Sequence, residues 1–422
     1  ILESRINNQY SRTGRKFNKS DQPIPIETSP TTSFKRPDII HADGYYMVVF
    51  IEESDNGDNV GADFFDDDGN WKNGGVLYDG PNDCANPSVA YDAKTGLFLV
   101  TFQYYFEGRE WDILARAASP SYGPIGDVRS IVESPLSEES PSVACNADDG
   151  SCLVAYEYDV GISGIPNHPV QGKHIYLYSE GIYAWGQSRP LDDKNGTNPH
   201  LAWGKGAEHY LLTYSWWSST DSAWFPRYTH LYNTFHSPQY TYPGKLLVPV
   251  DWESDFSIKE PLNVAYDPCT KKFIVLFYRL VIFSDADIFM GIISQNQGEV
   301  LGVYSVANTA EDEYHGDIHF SIDSHLIPSC NSEERMVITY TNAKDGIYAF
   351  DLRSNNHQEN PIYDWDNESS HVLIAPIEAG ILKSHCVISN GIDGKMLVVW
   401  DDYNEISGDE NIWGRMLKIS SS

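Results

Sequence analysis

The sequence predicts an all-β protein: a seven-bladed β-propeller whose blades are four-stranded antiparallel sheets, with the ring closed by an N-terminal strand in the last blade. Three observations lead to this fold. A short apolar run that ends in an aromatic residue recurs seven times along the 422 residues. Two or three further strand-like runs accompany each recurrence. The last repeat lacks one run, and the N-terminal part of the chain can supply it.

The aromatic-ended run is the most regular feature of the chain. Its last residues follow one another at intervals of 52 to 63 residues and are Phe50, Phe102, Tyr156, Tyr214, Phe277, Tyr340 and Trp400. A period of this size is typical of propellers, solenoids and other repeat arrays. We expect the seven rings to pack in the core between blades rather than to form a ligand platform.

Each repeat carries more than one strand. A run led by Pro or Gly comes first, as in "NPSVAYD"; a third run follows the aromatic one, as in "WDILARA"; and most repeats add a weaker fourth run, as in "RSIVES". Four short strands joined by turns make one antiparallel sheet. A sheet this small cannot bury both faces or protect its edges alone, whereas seven sheets packed around an axis bury both faces of each.

A closed ring requires the two ends of the chain to share the last blade. The last repeat ends one strand short, and the run "PIPIETS" at residues 23–29 has no partner of its own. We therefore expect this run to complete the last blade. The chain then divides into a basic N-terminal arm, residues 1–22, and a single propeller domain, residues 23–422. The arm is either a disordered tail or a segment that docks on the acidic body of a second copy.

The charge balance argues against two classes of partner. Lys and Arg number 29 against 60 Asp and Glu, for a formal net charge of −31. Such a field repels polyanions, so we expect no nucleic-acid partner. The best candidate for a membrane span, "KFIVLFYRLVIF", is interrupted by Arg279 and is shorter than the roughly 20 apolar residues that cross a bilayer. Membrane insertion is therefore not expected.

Several features favour a secreted or extracellular glycoprotein. The chain starts at Ile1 without Met, so we expect that an upstream signal or pro-segment has been removed or that the chain is a processed fragment. Acceptor sequons for N-glycosylation occur at Asn18, Asn195 and Asn367.

The six cysteines point in the same direction. Cys145 and Cys152 stand on the two shoulders of a tight turn in "CNADDGSC", where a disulfide has workable geometry. Cys269 and Cys330 occupy equivalent turns of two consecutive repeats and could join each other. Cys84 and Cys386 stay unassigned, with free buried thiols as one alternative.

The innermost strands define a candidate binding site. If the Pro-led runs line the central channel, their alignment places one polar residue per blade at the same position: Asp38, Ser88, Ser142, His200, Asn263, Asp317 and His385. A shift of one residue would bring Ser384 to the last position. These side chains either face a wet channel without further function or converge on a site for proton transfer or metal binding. Asp38, Asp317 and His385, on consecutive blades, are the best subset.

One acidic turn has the composition of a calcium loop. "DFFDDDGNW" brings Asp66, Asp68 and Asn70 together around Gly69, and their oxygens suit calcium. The turn lacks the following Glu of a helix-loop-helix site, so a solvated hairpin tip is the interpretation that we favour. No other cofactor is predicted.

The framework of the repeats resembles a known group of proteins. "NPSVAYD", "FLVTF", "WDILARA" and "NIWGRML" are similar to secreted propeller repeats of the form Pro-x-Val-Ala, turn, apolar run ending in an aromatic residue, loop, Asp-Ile-x-Gly-Arg. The resemblance spans most of residues 30–420 and implies the fold and export. Its residues are framework residues, so it transfers no catalytic residue.

These observations predict a non-enzymatic extracellular module with a structural or interaction role. It would assemble with itself through residues 1–22 or bind carbohydrate through aromatic side chains such as Trp216, Trp217 and Trp224. The alternative is a secreted polysaccharide-degrading enzyme, a lyase or a glycosidase, with its site at the mouth of the channel. The sequence alone identifies no catalytic residue.

Overall fold

The computed structural model describes residues 17–19, 22–29, 31–108, 110–159, 169–204, 208–218, 223–234, 237–240, 244–247, 261–267, 270–280, 286–295, 298–307, 313–320, 335–353, 371–377, 381–390, 395–404 and 408–419. Strands joined by turns make up this part of the chain, without a helix. Accordingly, the described residues contain no helix that could cross a membrane.

The first half of the chain forms two short strands and then the first four blades. The short strands are β1 (Phe17–Lys19) and β2 (Ile24–Glu27). Blade 1 consists of β3 (Phe34–Ala42), β4 (Tyr45–Glu52), β5 (Asn59–Asp66) and β6 (Trp71–Tyr78). Blade 2 consists of β7 (Cys84–Asp92), β8 (Leu97–Tyr105), β9 (Trp111–Ser119) and β10 (Gly123–Val132). Blade 3 consists of β11 (Glu138–Cys145), β12 (Ser151–Tyr158), β13 (Pro169–Tyr178) and the first part of β14 (Gly181–Gly204). The second part of β14 starts blade 4, which continues with β15 (His209–Ser218), β16 (Ala223–Thr234), β17 (Ser237–Tyr240) and β18 (Lys245–Leu246).

The second half forms blades 5 to 7. Blade 5 consists of β19 (Pro261–Asp267), β20 (Lys272–Leu280), β21 (Ala286–Ser294) and β22 (Val300–Ala307). Blade 6 consists of β23 (Glu313–Phe320), β24 (Arg335–Asn342), β25 (Gly346–Arg353) and β26 (His371–Pro376). Blade 7 consists of β27 (Ile381–Asn390), β28 (Lys395–Asn404) and β29 (Glu410–Ile419), and β29 pairs with both β1 and β2. The seven blades are antiparallel and form a closed ring, as predicted.

The N-terminal strand closes the ring. Strand β2 pairs antiparallel with β29, so that Ile24 lies opposite Gly414. The predicted completion of blade 7 by residues 23–29 is therefore confirmed. Strand β1 pairs with β29 as well, so residues 17–19 of the predicted arm belong to this blade. Residues 1–16 lie outside the described residues.

The core is divided among the interfaces between blades. The described residues form seven clusters of buried side chains, one at each junction of two neighbouring blades. The seven recurring aromatic residues all lie in these clusters or beside them and are at most 4% exposed. They are inter-blade core residues, as predicted, because each sheet is stable only when its neighbours cover both faces.

Cations of the third strands add a polar link between blades. Arg116, Lys173 and Arg415 occupy the same position, opposite the residue two before the recurring aromatic. The guanidinium of Arg116 donates to the carbonyl of Leu77, and the Lys173 ammonium donates to the carbonyl of Ile131 at 2.7 Å. Each cation thus binds the outer strand of the preceding blade. This role accounts for the Arg of the Asp-Ile-x-Gly-Arg framework.

The ring has two distinct ends. At one, which we call the mouth face, the inner strands begin and the second strand of each blade passes into the third; Arg36 and Tyr105 lie there. At the other, the opposite face, the inner strands end and the third strands pass into the fourth; in blades 1 to 3 the structure describes the hairpin turns there. The disulfide Cys145–Cys152 and the turn between Tyr178 and Gly181 lie on the opposite face.

We predict that Ile26→Ala lowers the free energy of unfolding by about 2–4 kcal/mol, since it removes a buried side chain where β2 packs between blades 7 and 1. Pro25→Ala, at an exposed position of the same strand, should cost less than about 1 kcal/mol. Chemical denaturation of both variants provides the measurement. Equal losses would show that burial of β2 does not stabilise the ring.

Candidate functional site at the mouth of the central channel

The inner strands form the wall of the channel. Strands β3, β7, β11, β14, β19, β23 and β27 each contact the next, and β27 contacts β3. Six of the predicted channel residues share one register position, opposite the residue that precedes the recurring aromatic. They are Asp38, Ser88, Ser142, His200, Asn263 and Asp317.

The seventh residue of the alignment is corrected. In blade 7 the residue opposite Val399 is Val387, not His385. His385 lies two positions earlier, in a bulge opposite Trp400. In blades 1 to 4 this bulge is occupied by a residue followed by Pro, but "LKSHCVIS" has no proline to mark it. The apolar Val387 therefore takes the place where six other blades carry a polar residue.

Several of the six polar side chains bridge neighbouring inner strands. Ser142 Oγ accepts the backbone N–H of Leu201 at 3.0 Å, and Ser88 Oγ accepts that of Val143 at 3.4 Å. Asp38 Oδ2 accepts the N–H of Val89 at 2.9 Å. In each case the donor follows the equivalent polar residue of the next blade. The inner position therefore supplies acceptors to backbone groups that face the channel, where no further strand can pair with them.

Asp38 and Asp317 form a carboxyl pair on the inner ring. They lie on blades 1 and 6, on either side of blade 7. Burial and the charge of Asp317 raise the pKa of Asp38 to about 7, although backbone N–H bonds from Val89 and Ile39 act in the other direction. Asp317 is 5% exposed, and its carboxylate accepts a hydrogen bond from the Asn263 amide. Asp38 as a whole residue is half-buried.

The rim above this pair is built from bulges with left-handed residues. Arg36, Asn86, Ser140 and Asn198 each precede a proline and have φ between 48° and 52°. A left-handed residue in a bulge bends the strand and turns its N–H away from the ladder. Side chains of the neighbouring blade accept these N–H groups: Asp401 binds Arg36 N at 3.0 Å, Gln103 binds Ser140 N at 2.9 Å and Glu157 binds Asn198 N at 2.7 Å.

Glu138 and Glu27 also have a raised pKa, but they belong to the framework. Burial and the neighbouring Asp112 raise the pKa of Glu138 to about 7, and both side chains are fully buried. Burial and Asp63 raise the pKa of Glu27 to about 7, where β2 meets β5. Asp63 also accepts the indole N–H of Trp71 at 2.8 Å. Glu138 begins the inner strand β11, but its side chain and that of Asp112 are fully buried, and Glu27 and Asp63 lie on β2 and β5, so neither pair is exposed to the channel.

In the turn considered for calcium, the carboxylates of Asp66 and Asp68 are bonded by the turn itself and by lysines. Burial acts to raise the pKa of Asp66, but Lys72 and the N–H groups of Asn70 and Asp68 outweigh it and lower this pKa to about 2. Lys395 binds Asp68 at 2.6 Å. In the part of the chain that the structure describes, no group of three or more metal-binding side chains occurs.

The remaining predicted sites are placed as follows. Cys145 and Cys152 are joined in a disulfide, and Cys84 is a free, buried thiol. Asn18 lies in β1 and Asn195 in β14. Cys386 lies in the bulge of β27. Asn367, Cys269 and Cys330 lie outside the described residues.

Sequence reasoning missed the rim residues. Arg36 is exposed at the mouth face, and its guanidinium binds the side chain of Asn86. Tyr105 and Trp111 are opposite one another where β8 passes into β9, with their ring centroids 5.5 Å apart. Tyr105 lies three residues after Phe102 in the sequence. Only the register of the blade shows that this position lies at the mouth face.

No protein-family model matches the sequence, and no curated protein matches it at a significant level. Solved structures do share the fold. A protein of unknown function from Dyadobacter fermentans is 11% identical, with a TM-score of 0.54 over 96% of this chain and 99% of that one. A variant of the NanB sialidase of Streptococcus pneumoniae is 10% identical, with a TM-score of 0.51 over 94% of this chain and 71% of that one. The family-93 α-L-arabinofuranosidase of Fusarium graminearum is 10% identical, with a TM-score of 0.49 over 79% of this chain and 93% of that one.

These comparisons show the β-propeller fold, which this chain shares with a sialidase and with a protein of unknown function. The prediction of a non-enzymatic structural or interaction module is contradicted, because a propeller that aligns with nearly the whole chain is an enzyme. At 10% identity the likeness shows the fold and assigns no residue of this chain to a role.

We predict that Gln103→Leu destabilises the fold by about 1–3 kcal/mol, because it removes the acceptor of a backbone N–H at the rim. Gln103→Glu should stay within about 1 kcal/mol of the parent protein, since Glu157 performs the same role in the next blade. Thermal and chemical unfolding measure both. A Glu variant as unstable as the Leu variant would contradict this role.

Proposed function

We propose that the protein is a glycoside hydrolase whose site lies in the channel at the mouth face. The observation that carries this proposal is the carboxyl pair of Asp38 and Asp317 on the inner ring. Glycoside hydrolysis commonly uses two carboxyl groups in different protonation states, one of which donates a proton while the other is ionised.

The two environments suit these two tasks. Asp38, with a pKa of about 7, acts as the proton donor to the glycosidic oxygen. When protonated, its carboxyl keeps acceptor capacity for the backbone bonds that it already makes. Asp317, held by Asn263, acts as the carboxylate that attacks the anomeric carbon or activates water.

Hydrolysis is favoured over elimination by the charge at the mouth face. Lyases of acidic polysaccharides need cations to bind the uronate carboxylate, whereas acidic side chains such as Glu53, Glu139 and Asp402 occur at this end of the strands. The existence of sialidases on the same architecture supports the choice at the level of fold only.

We predict that Asp38→Asn and Asp317→Asn each reduce hydrolysis by at least about a hundredfold, the usual contribution of a positioned acid or base. The assay is the release of reducing sugar from a panel of polysaccharides and aryl glycosides. Ser142→Ala is the matched control, because it removes a bridge of the same ring without a carboxyl group, whereas Ser88 bonds to Asp38 itself. We expect it to keep most of the activity.

Two results would contradict the proposal. One is a wild-type protein that cleaves no member of the panel. The other is full activity in the Asp317→Asn variant, provided that its melting temperature matches the parent. Proton NMR of the first product identifies the role of Asp317, since attack on the anomeric carbon retains its configuration and activation of water inverts it.

The pH dependence of hydrolysis should follow the titration of Asp38. Its folded-state pKa is raised, so the proton-donating form dominates below about pH 7 and is lost above it. We therefore expect kcat/KM to fall about tenfold per pH unit above pH 7. A rate profile between pH 5 and 9 tests this expectation. A flat profile across pH 7, or a rise with pH, would remove Asp38 from the role of donor.

We further propose that the protein acts outside the cell. The disulfide Cys145–Cys152 supports this, because disulfides persist in oxidising compartments. Glycosylation at Asn18, Asn195 and Asn367 and self-association through residues 1–22 stay predictions. Sedimentation before and after removal of residues 1–16, which leaves β1 in blade 7, tests self-association.

A further inference from the structure

We propose that the mouth face carries two aromatic platforms, Tyr105–Trp111 and Trp217–Trp224, that bind an uncharged polysaccharide chain by stacking on its sugar rings. This inference rests on the proposed function, which makes a glycan the ligand. It adds a binding site outside the inner ring and names the chemical class of the substrate.

The two platforms are structurally equivalent. Tyr105 follows Phe102 by three residues in blade 2, and Trp217 follows Tyr214 by three residues in blade 4. Each pairs across the strands with a tryptophan at the start of the third strand. The ring centroids are 5.5 Å apart in the first pair and 5.4 Å apart in the second. Both pairs therefore lie on the mouth face, at the same height of their blades.

The rings of both pairs are available to a ligand. Tyr105 is 37% exposed, and Trp111, Trp217 and Trp224 are half-buried. None of the four is part of the buried clusters or of the side chains packed against them.

Their chain neighbours behave differently. Tyr104 and Phe106 pack into the interface of blades 1 and 2. Trp216 packs against two clusters and carries the Arg227 guanidinium 3.6 Å from its ring centroid. The predicted role of Trp216 in sugar binding is therefore replaced by a framework role.

The charge of the surroundings indicates an uncharged ligand. The chain has a net charge of −31. At the rim, the Lys35 ammonium is paired with Glu53 and Asp58, and the Arg36 guanidinium binds Asn86. An anionic chain would meet a repulsive field, whereas the C–H faces of neutral sugars stack on aromatic rings without needing a cation.

Affinity electrophoresis of the Asp317→Asn variant tests the proposal without consuming the ligand. The gels contain arabinan, galactan or xylan as neutral probes and polygalacturonate as the anionic probe. We expect at least one neutral polysaccharide to retard the protein and polygalacturonate to have no effect. In that background Trp217→Ala and Tyr105→Ala should each weaken retardation about tenfold, and Trp217→Phe, which keeps an aromatic face, should restore most of it.

Tyr178→Ala with Tyr183→Ala is the matched control, because this aromatic pair is 57% and 51% exposed but lies on the opposite face. It should not change retardation. The inference is overturned if no neutral polysaccharide retards the protein, if polygalacturonate does so, or if the rim variants, folded as judged by melting temperature, migrate like their parent. Binding without hydrolysis by the wild type would leave this inference standing and refute the proposed function alone.

Discussion

The unpaired edge of the inner strands is the constraint on which the rest of the structure depends. Each inner strand pairs on one side only, and its other edge faces the channel, where N–H and C=O groups have no strand partner. Side chains of the adjacent blade supply hydrogen-bond acceptors for these N–H groups. Ser88, Ser142 and Asp38 bind N–H groups of the next inner strand, while Gln103, Glu157 and Asp401 bind those of the bulges. Both sets tie one blade to the next.

The same constraint bears on the place of the proposed site in the ring. If every inner strand carried a polar residue at this position, hydrogen bonds to the backbone N–H of the next strand could continue around the whole ring. Blade 7 interrupts this set, because Val387 has no polar atom to offer. The two carboxyl residues on the blades either side of it, Asp317 and Asp38, interact electrostatically, and this interaction raises the pKa of Asp38 further than burial alone. One apolar residue in a repeated framework thus sets the two carboxyl positions beside it apart from the other four polar positions.

The sequence predicted the parts of the molecule that follow from burial. Seven aromatic residues at regular spacing had to lie between blades, and the unpaired run at residues 23–29 had to close the ring. It failed where a local irregularity was not marked by a residue type. His385 was misaligned because the bulge of β27 lacks the proline that marks the bulges at Arg36, Asn86, Ser140 and Asn198. The interaction of Asp38 with Asp317 was also inaccessible, since it joins residues 279 positions apart.

The excess of acidic residues bears on the proposed site in two ways. The charge of Asp317, added to burial, disfavours the ionised form of Asp38, which therefore keeps its proton to a higher pH. The same field repels anionic ligands and leaves stacking as the main means of holding a sugar chain. The charge that supports a proton donor on the inner ring therefore also favours aromatic pairs, rather than arginines, at the rim. Acid catalysis and selectivity for neutral glycans would then have one electrostatic origin in this propeller.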